Sequence, residues 1–346
     1  MNEKRDLGQF FTTHYKKILD GFIIPENITN IVEPFCGNGD MLHFIDKTKY
    51  QLECYDIDPK QPWIVQRDTL LYPIDYTGKF ILTNPPYLAR NKAKTKDIFD
   101  KYNVNDLYKC FIKQLICNRA AGGIVIIPLN FWSSIRECDI ELRKQFVNIY
   151  KIIRLNIFEE TVFDDTTYTV CAFMFLQKQL YNLDNSNTIE AFMYPSHKVI
   201  FTVLSDNNNY QIGGSIYHLE IQGNFTITRL TSKNKLQKNT NIVAKCIDDS
   251  AEAKICLKYV NDNAIYIDDT PNLSARTYAT LVIMPPIDKQ RQKKLVKQFN
   301  EFLNNRRDLY DSLFLANYRE SKDIARKRIS FDLVYLIVIY LLENYD

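Results

Sequence analysis

The chain has 346 residues, 46% hydrophobic and 25% charged, the balance of a folded globular protein rather than a disordered or fibrous one. Its length allows two domains, and its net charge is only +3, so bulk charge does not by itself call for a polyanionic partner.

The opening MNEKRDLGQFF has no apolar core, so no signal peptide is expected. ITNIVEPF (28–35) reads as a β-branched strand that ends at a pair of glycines, and DMLHFIDK (40–47) has apolar residues at helical spacing. QLECYDI (51–57), WIVQRD (63–68) and KFILTN (79–84) read as strands. A helix pattern follows over 105–120, with Asn105 as its cap, then the strands GGIVIIPL (122–129) and YTVCAFMFLQK (168–178). Strands alternating with helices predict right-handed crossovers and a doubly wound, mostly parallel α/β sheet. The polar stretch 182–188 marks the expected domain boundary, giving a first domain 1–181 and a second, 182–346. The second reads as mixed α+β, with short strand-like pieces KVIFTVL, FTITRL and YATLVIM and a helical end from about Asp288.

The longest apolar run, LVYLIVIYLL (333–342), is too short to cross a bilayer and reads as a buried terminal helix. Eight scattered cysteines without a CxxC pair or zinc-ligand spacing predict reduced thiols, no metal and a reducing, cytoplasm-like compartment. Charge is uneven: 289–328 holds twelve Lys and Arg against five Asp and Glu, whereas 181–288 holds nine against eleven. A local excess of this kind suits a polyanion, and a solvated helix face would look the same.

Four short motifs carry chemistry. In EPFCGNGD (33–40), Gly37 and Gly39 straddle a strand-to-helix turn, where glycine admits positive φ and close approach by a ligand. The spacing is GxG, not GxGxxG, and Glu33 just before it would repel a phosphate but suits an ammonium group. Asp56, in YDID, ends the second strand, where an open α/β sheet offers a carboxylate to ribose hydroxyls, and Asp68 ends the third. In TNPPY (83–87) two prolines stop the strand and stiffen the corner. The Asn84 side chain and Pro85 carbonyl then offer two acceptors beside the flat ring of Tyr87, a receptor for a planar exocyclic amine. LGQFFTT (7–13) is weak by itself.

Taken in order, LGQFFT, VEPFCGNG, YDID, RDTLL and TNPPY resemble the gamma class of amino-group DNA methyltransferases, enzymes of restriction–modification systems and large DNA viruses that use S-adenosylmethionine. The resemblance covers the first half of the chain; RESKDIARKRISFDLVY near the end resembles the group less specifically. It implies a Rossmann-like methyltransferase sheet followed by a target-recognition domain. It implies that Phe11, Thr12, Glu33, Pro34, Phe35, Cys36, Gly37, Gly39, Asp56, Ile57 and Asp68 hold the cofactor, with Glu33 near its ammonium. Asn84, Pro85, Pro86 and Tyr87 would hold a flipped-out adenine, with Phe163, or else Tyr168, as a second aromatic wall. Thr69 stands where the family often has an aromatic residue. Double-stranded DNA is the implied partner, and a cognate restriction endonuclease that forms no stable complex stays open as a second. Arg90, Lys92, Lys94, Lys96, Arg306, Arg307, Arg326, Lys327 and Arg328 are expected to contact it. The implied activity is N6-adenine methylation; N4-cytosine, RNA-adenine or protein-glutamine transfer stay open, as does an inactive nucleic-acid-binding module.

Overall fold

The computed structural model describes residues 12–163, 169–234, 240–249, 254–268, 277–318 and 326–345, and divides the chain into two compact units. Phe11 and Tyr168 lie outside the described residues.

The first unit is built on nine strands: β1 (Asn30–Glu33), β2 (Gln51–Asp56), β3 (Val65–Gln66), β4 (Phe80–Thr83), β5 (Gly122–Pro128), β6 (Tyr150–Phe158), β7 (Val170–Gln177), β8 (Thr188–Tyr194) and β9 (Val199–Val203). They form one sheet in the order β3-β2-β1-β4-β5-β7-β6-β8-β9. The first five in that order run parallel, and β7 is antiparallel to both its neighbours. Every residue of β4 and β5 is buried, as a strand covered on both faces requires. The helices Leu107–Asn118 and Glu137–Ile149 pack on one another, the first burying Tyr108, Phe111, Ile112 and Leu115.

Three expectations need correction. The 40–47 helix is a 3-10 helix over Asp40–Phe44, followed by a second 3-10 turn over Lys47–Lys49, where the Asp46 side chain accepts from Thr48 N. Strand β6 was not foreseen: it begins at Tyr150, straight after a helix, with no Gly or Pro between them. The expected boundary at 181 is also too early. β8 pairs in parallel with β6, β9 pairs with β8, and the first unit runs on to Ser205.

The second unit holds a four-stranded antiparallel sheet, in the order β10 (Thr226–Arg229), β13 (Tyr278–Met284), β11 (Ile242–Lys245), β12 (Cys256–Tyr259). A hairpin pairs β14 (Ala316–Tyr318) with β15 (Arg326–Arg328). The long helix Lys289–Tyr310 packs on β12 and on the terminal helix Phe331–Asn344. That terminal helix begins at Ser330, whose side chain accepts from Leu333 N. It buries Leu333, Val334, Ile337, Val338, Leu341 and Leu342 in the unit's core. Among the described residues no helix is long and apolar enough to cross a membrane.

Candidate active site

Strands β1 and β4 are neighbours, Ile31 paired with Phe80 and Val32 with Ile81. The glycine loop and the Asn-Pro-Pro-Tyr corner therefore leave the same edge of the sheet side by side. A cavity of about 550 Å³ opens there, a size suited to a small-molecule ligand. Phe35, Gly37, Asp56, Ile57, Asp68, Asn84 and Pro86 all line it. Its other walls include Arg67, Leu70 and Leu71 of the RDTLL motif, and Leu88, Ile98 and Phe99, which the sequence had not marked. Leu88 comes from a loop, and Ile98 and Phe99 from the helix Asp97–Tyr102, which is too short for an apolar period to single them out.

The glycine loop is braced from β2. Asp56 Oδ2 accepts from Gly37 N at 2.7 Å and Oδ1 from Asp58 N at 2.8 Å. Burial raises the Asp56 carboxyl above its usual range, and the two backbone donors partly offset that. Cys36 N donates to Tyr55 O at 2.8 Å and Gly39 N to Cys36 O at 2.7 Å. Gly37 and Gly39 have φ of +52° and +83°. At a φ of +83° any side chain on Gly39 would be strained, and its Cβ would also come within 2.9 Å of the Trp63 ring, which would have to give.

Asp68 Oδ1 caps the next turn, accepting from Leu70 N (3.0 Å) and Leu71 N (2.9 Å). Thr69 has a role that the sequence reading missed: its buried hydroxyl donates to Pro34 O at 2.8 Å, tying the Asp68 loop to the end of β1.

Glu33 differs from expectation. It is 2% exposed, is not a wall of the cavity, and accepts a 3.4 Å hydrogen bond from the Cys36 thiol. Burial, and then the nearby Cys54, push its carboxyl well above the usual range. The end of a strand covered on both faces leaves this side chain beneath the loop. Pro34 and Cys36 are likewise buried, while Phe35 meets Phe111 edge-on at 5.1 Å.

At the corner, Asn84 Nδ2 donates to Thr12 Oγ1 at 3.2 Å. The Tyr87 hydroxyl lies within reach of both the Asn84 amide oxygen and the Ile126 carbonyl, the latter at 2.8 Å. A hydroxyl has one proton, so the two acceptors share it. Tyr87 is 3% exposed and Phe163 2%. Neither ring presents an open face for stacking: the core beside β5 takes the first, and Phe163 is also among the largest fully buried side chains. Pro85 is buried, while Pro86 is half-buried.

The expected DNA-contacting residues divide. Lys92 and Lys94 are exposed, and Lys94 also lines the cavity. Arg90 instead pairs with Asp100 (Nη2–Oδ1 2.8 Å), and Lys96 Nζ donates to the carbonyls of Arg90 and Ala93. In the second unit Arg307 grips Asp249 (Nη2–Oδ1 2.7 Å, Nε–Oδ2 3.0 Å) and also donates to Ile255 O. Arg306 donates to Ser215 Oγ at 3.0 Å, and Lys327 is 6% exposed. Arg328 is half-buried, and the Arg326 side chain lies outside what is described. Arg307 is thus committed to the fold of its own unit, because an acidic side chain and a backbone acceptor far away in sequence reach it first, and Lys327 is buried in the same unit.

No protein-family model matches the chain, and no curated protein matches it. Among solved structures it is similar to the methyltransferase subunit of the type I restriction-modification system from Streptococcus thermophilus, at 11% identity over 53% of this chain and 45% of that one, with a TM-score of 0.39. It is similar to the DrdV–DNA complex at 13% identity over 70% and 35%, TM-score 0.43. It is similar to the M protein of the type I restriction enzyme EcoKI at 11% identity over 97% and 70%, TM-score 0.39. The chain spans less than half the length of the first two, at 45% and 35%. At these values the likeness decides nothing about the site.

Proposed function

We propose that the chain is an S-adenosylmethionine-dependent DNA methyltransferase that methylates the exocyclic amine of adenine, serving as the protective methylase of a restriction–modification system. One observation carries the reading: a single cavity is lined both by Asp56 and Asp68, at the ends of β2 and β3, and by Asn84 and Pro86, at the end of β4. Ligands of open α/β sheets bind beyond these strand ends.

The residues present fit the nucleoside part of the cofactor. Asp56 faces the ribose hydroxyls, Asp68 the adenine edge, and Ile57, 44% exposed on the cavity wall, offers an apolar surface to the ring. When bound, the cofactor supplies an electrophilic methyl group on sulfur. Asn84 and the Pro85 carbonyl accept hydrogen bonds from the target amine. This favours a pyramidal nitrogen whose lone pair points at the methyl group. Tyr87 and Thr12 hold the Asn84 amide in one orientation, so the dipole is preorganised before substrate arrives. Direct displacement needs no protein nucleophile; positioning supplies most of the rate. A duplex target must be flipped out, at a cost of a few kcal/mol.

The test incubates the protein with tritiated S-adenosylmethionine and, separately, duplex DNA, RNA and a protein extract. Labelled N6-methyladenine in DNA is expected. Label in protein, in RNA or on cytosine, or none in any arm, overturns this reading.

A further inference from the structure

The wall of the cavity does not end at the strand tips. It continues along the chain that leaves the Asn-Pro-Pro-Tyr corner, through Leu88, Ala93, Lys94, Thr95 and Ile98. This segment is pinned at both ends. Near its start Leu88 N donates to Asp106 Oδ1 (3.1 Å), Leu107 N to Leu88 O (3.2 Å) and Arg90 N to Asn105 O (2.9 Å). At its far end Phe99 is 1% exposed.

Between the pins the segment carries little apolar weight. Residues 91–97 read NKAKTKD, and none of them is fully buried. It is closed by polar contacts within itself. The Arg90 guanidinium binds Asp100 through Nε (3.1 Å to Oδ1) and Nη2 (2.8 Å to Oδ1, 3.2 Å to Oδ2). Lys96 Nζ crosses the loop to the Arg90 and Ala93 carbonyls. A compact loop with pinned ends and no buried apolar side chain opens at low cost in free energy.

We propose that Arg90, Lys96 and Asp100 are positioning residues that hold 91–97 as the movable wall of the cofactor cavity, so that their contacts set how fast the cofactor enters and leaves. This rests on the cofactor reading above. Two residues with the charge of phosphate ligands thereby act on the small-molecule side of the site.

Binding of S-adenosylhomocysteine can be followed by stopped-flow fluorescence, because the Trp63 ring lies against Gly39 of the glycine loop. Asp100→Asn should raise the association and dissociation rate constants together, by about two- to five-fold, the worth of an exposed ion pair. The dissociation constant should stay within about two-fold, since the latch acts on the barrier to opening. The charge swap Arg90→Asp with Asp100→Arg should restore the parental rates. A residue that merely stabilised the fold would lower the melting temperature without moving both rates in parallel. Parental binding with rates blind to Asp100→Asn, or a swap that fails to restore them, overturns the movable wall alone. A parent that binds no S-adenosylhomocysteine overturns the cofactor reading as well.

Discussion

Asn84 Nδ2 donates to Thr12 Oγ1 at 3.2 Å across 72 residues of chain. Thr12 is buried, and the Tyr87 hydroxyl engages the other end of the same amide. The Asn84 amide is therefore clamped from both ends. Asn84→Ala should lower methyl transfer by at least about 10²-fold, the usual loss for one preorganised polar group. Thr12→Val should cost roughly ten-fold, with the cofactor dissociation constant changed less than about three-fold. The double mutant should be no worse than Asn84→Ala, since residues in one hydrogen-bonded unit are not additive. Single-turnover kinetics with calorimetry decides; additive losses would mean that the two act separately.

Asp56 serves the loop and, on our reading, the ribose with the same carboxylate. Asp56→Ala should raise the dissociation constant for S-adenosylhomocysteine by about 10- to 100-fold, as expected for lost hydrogen bonds to a charged group. Asn84→Ala should leave it nearly unchanged. Calorimetry that finds both variants binding like the parent removes this division of roles.

Tyr87 is a core residue in its own right. Tyr87→Phe should destabilise the protein by about 1–2 kcal/mol through the lost hydroxyl contacts. Tyr87→Ala should cost roughly 3–5 kcal/mol, the range for deleting a buried aromatic ring. Urea unfolding measures both. A ring that only stacked on a substrate from the surface would change stability by less than about 0.5 kcal/mol.

Arg307 belongs to the second unit's interior. Its side chain is 11% exposed and that of Asp249 2%. Burial works against the ionised Asp249, but the bonds from Arg307 and Ser312 prevail and hold its carboxyl below the usual range. Arg307→Ala should strand this charge and cost about 3–5 kcal/mol. The slope of log DNA affinity against log salt should not change, because no phosphate contact is lost; a phosphate ligand would flatten it by about 0.9.

Asp106 gives the protein a pH signature. Burial raises its carboxyl from 3.8 to about 7, partly offset by Lys109 and by backbone donors that include Leu88 N. A carboxyl raised on folding contributes stability that is complete below about pH 4 and is lost as pH climbs through 7. Relative to Asp106→Asn, the parent should therefore lose stability between about pH 4 and 7, by a few kcal/mol at most. Urea midpoints across that window measure it; parallel curves for the two proteins would show that Asp106 does not titrate there.

What the sequence settled alone is chemistry of short range. Proline cannot continue a ladder, so the corner at 84–87 had to close a strand, and β4 does end at Thr83. Glycine takes positive φ, so the turn after β1 was legible, as were the apolar period of the helix over 107–118 and the terminal helix. The tertiary structure decided which strands are neighbours, and hence that the glycine loop and the corner share one cavity. It brought β8 and β9 into the first sheet, and it turned the Tyr87 ring inward. It also decided how charge is used. Arg307 meets an acid 58 residues away, and Arg90 one ten residues on, so neither could be told from a phosphate ligand by its neighbours in sequence. Dihedral preference and periodicity act over a few residues, whereas pairing and burial depend on whatever distant chain the fold brings within about 4 Å.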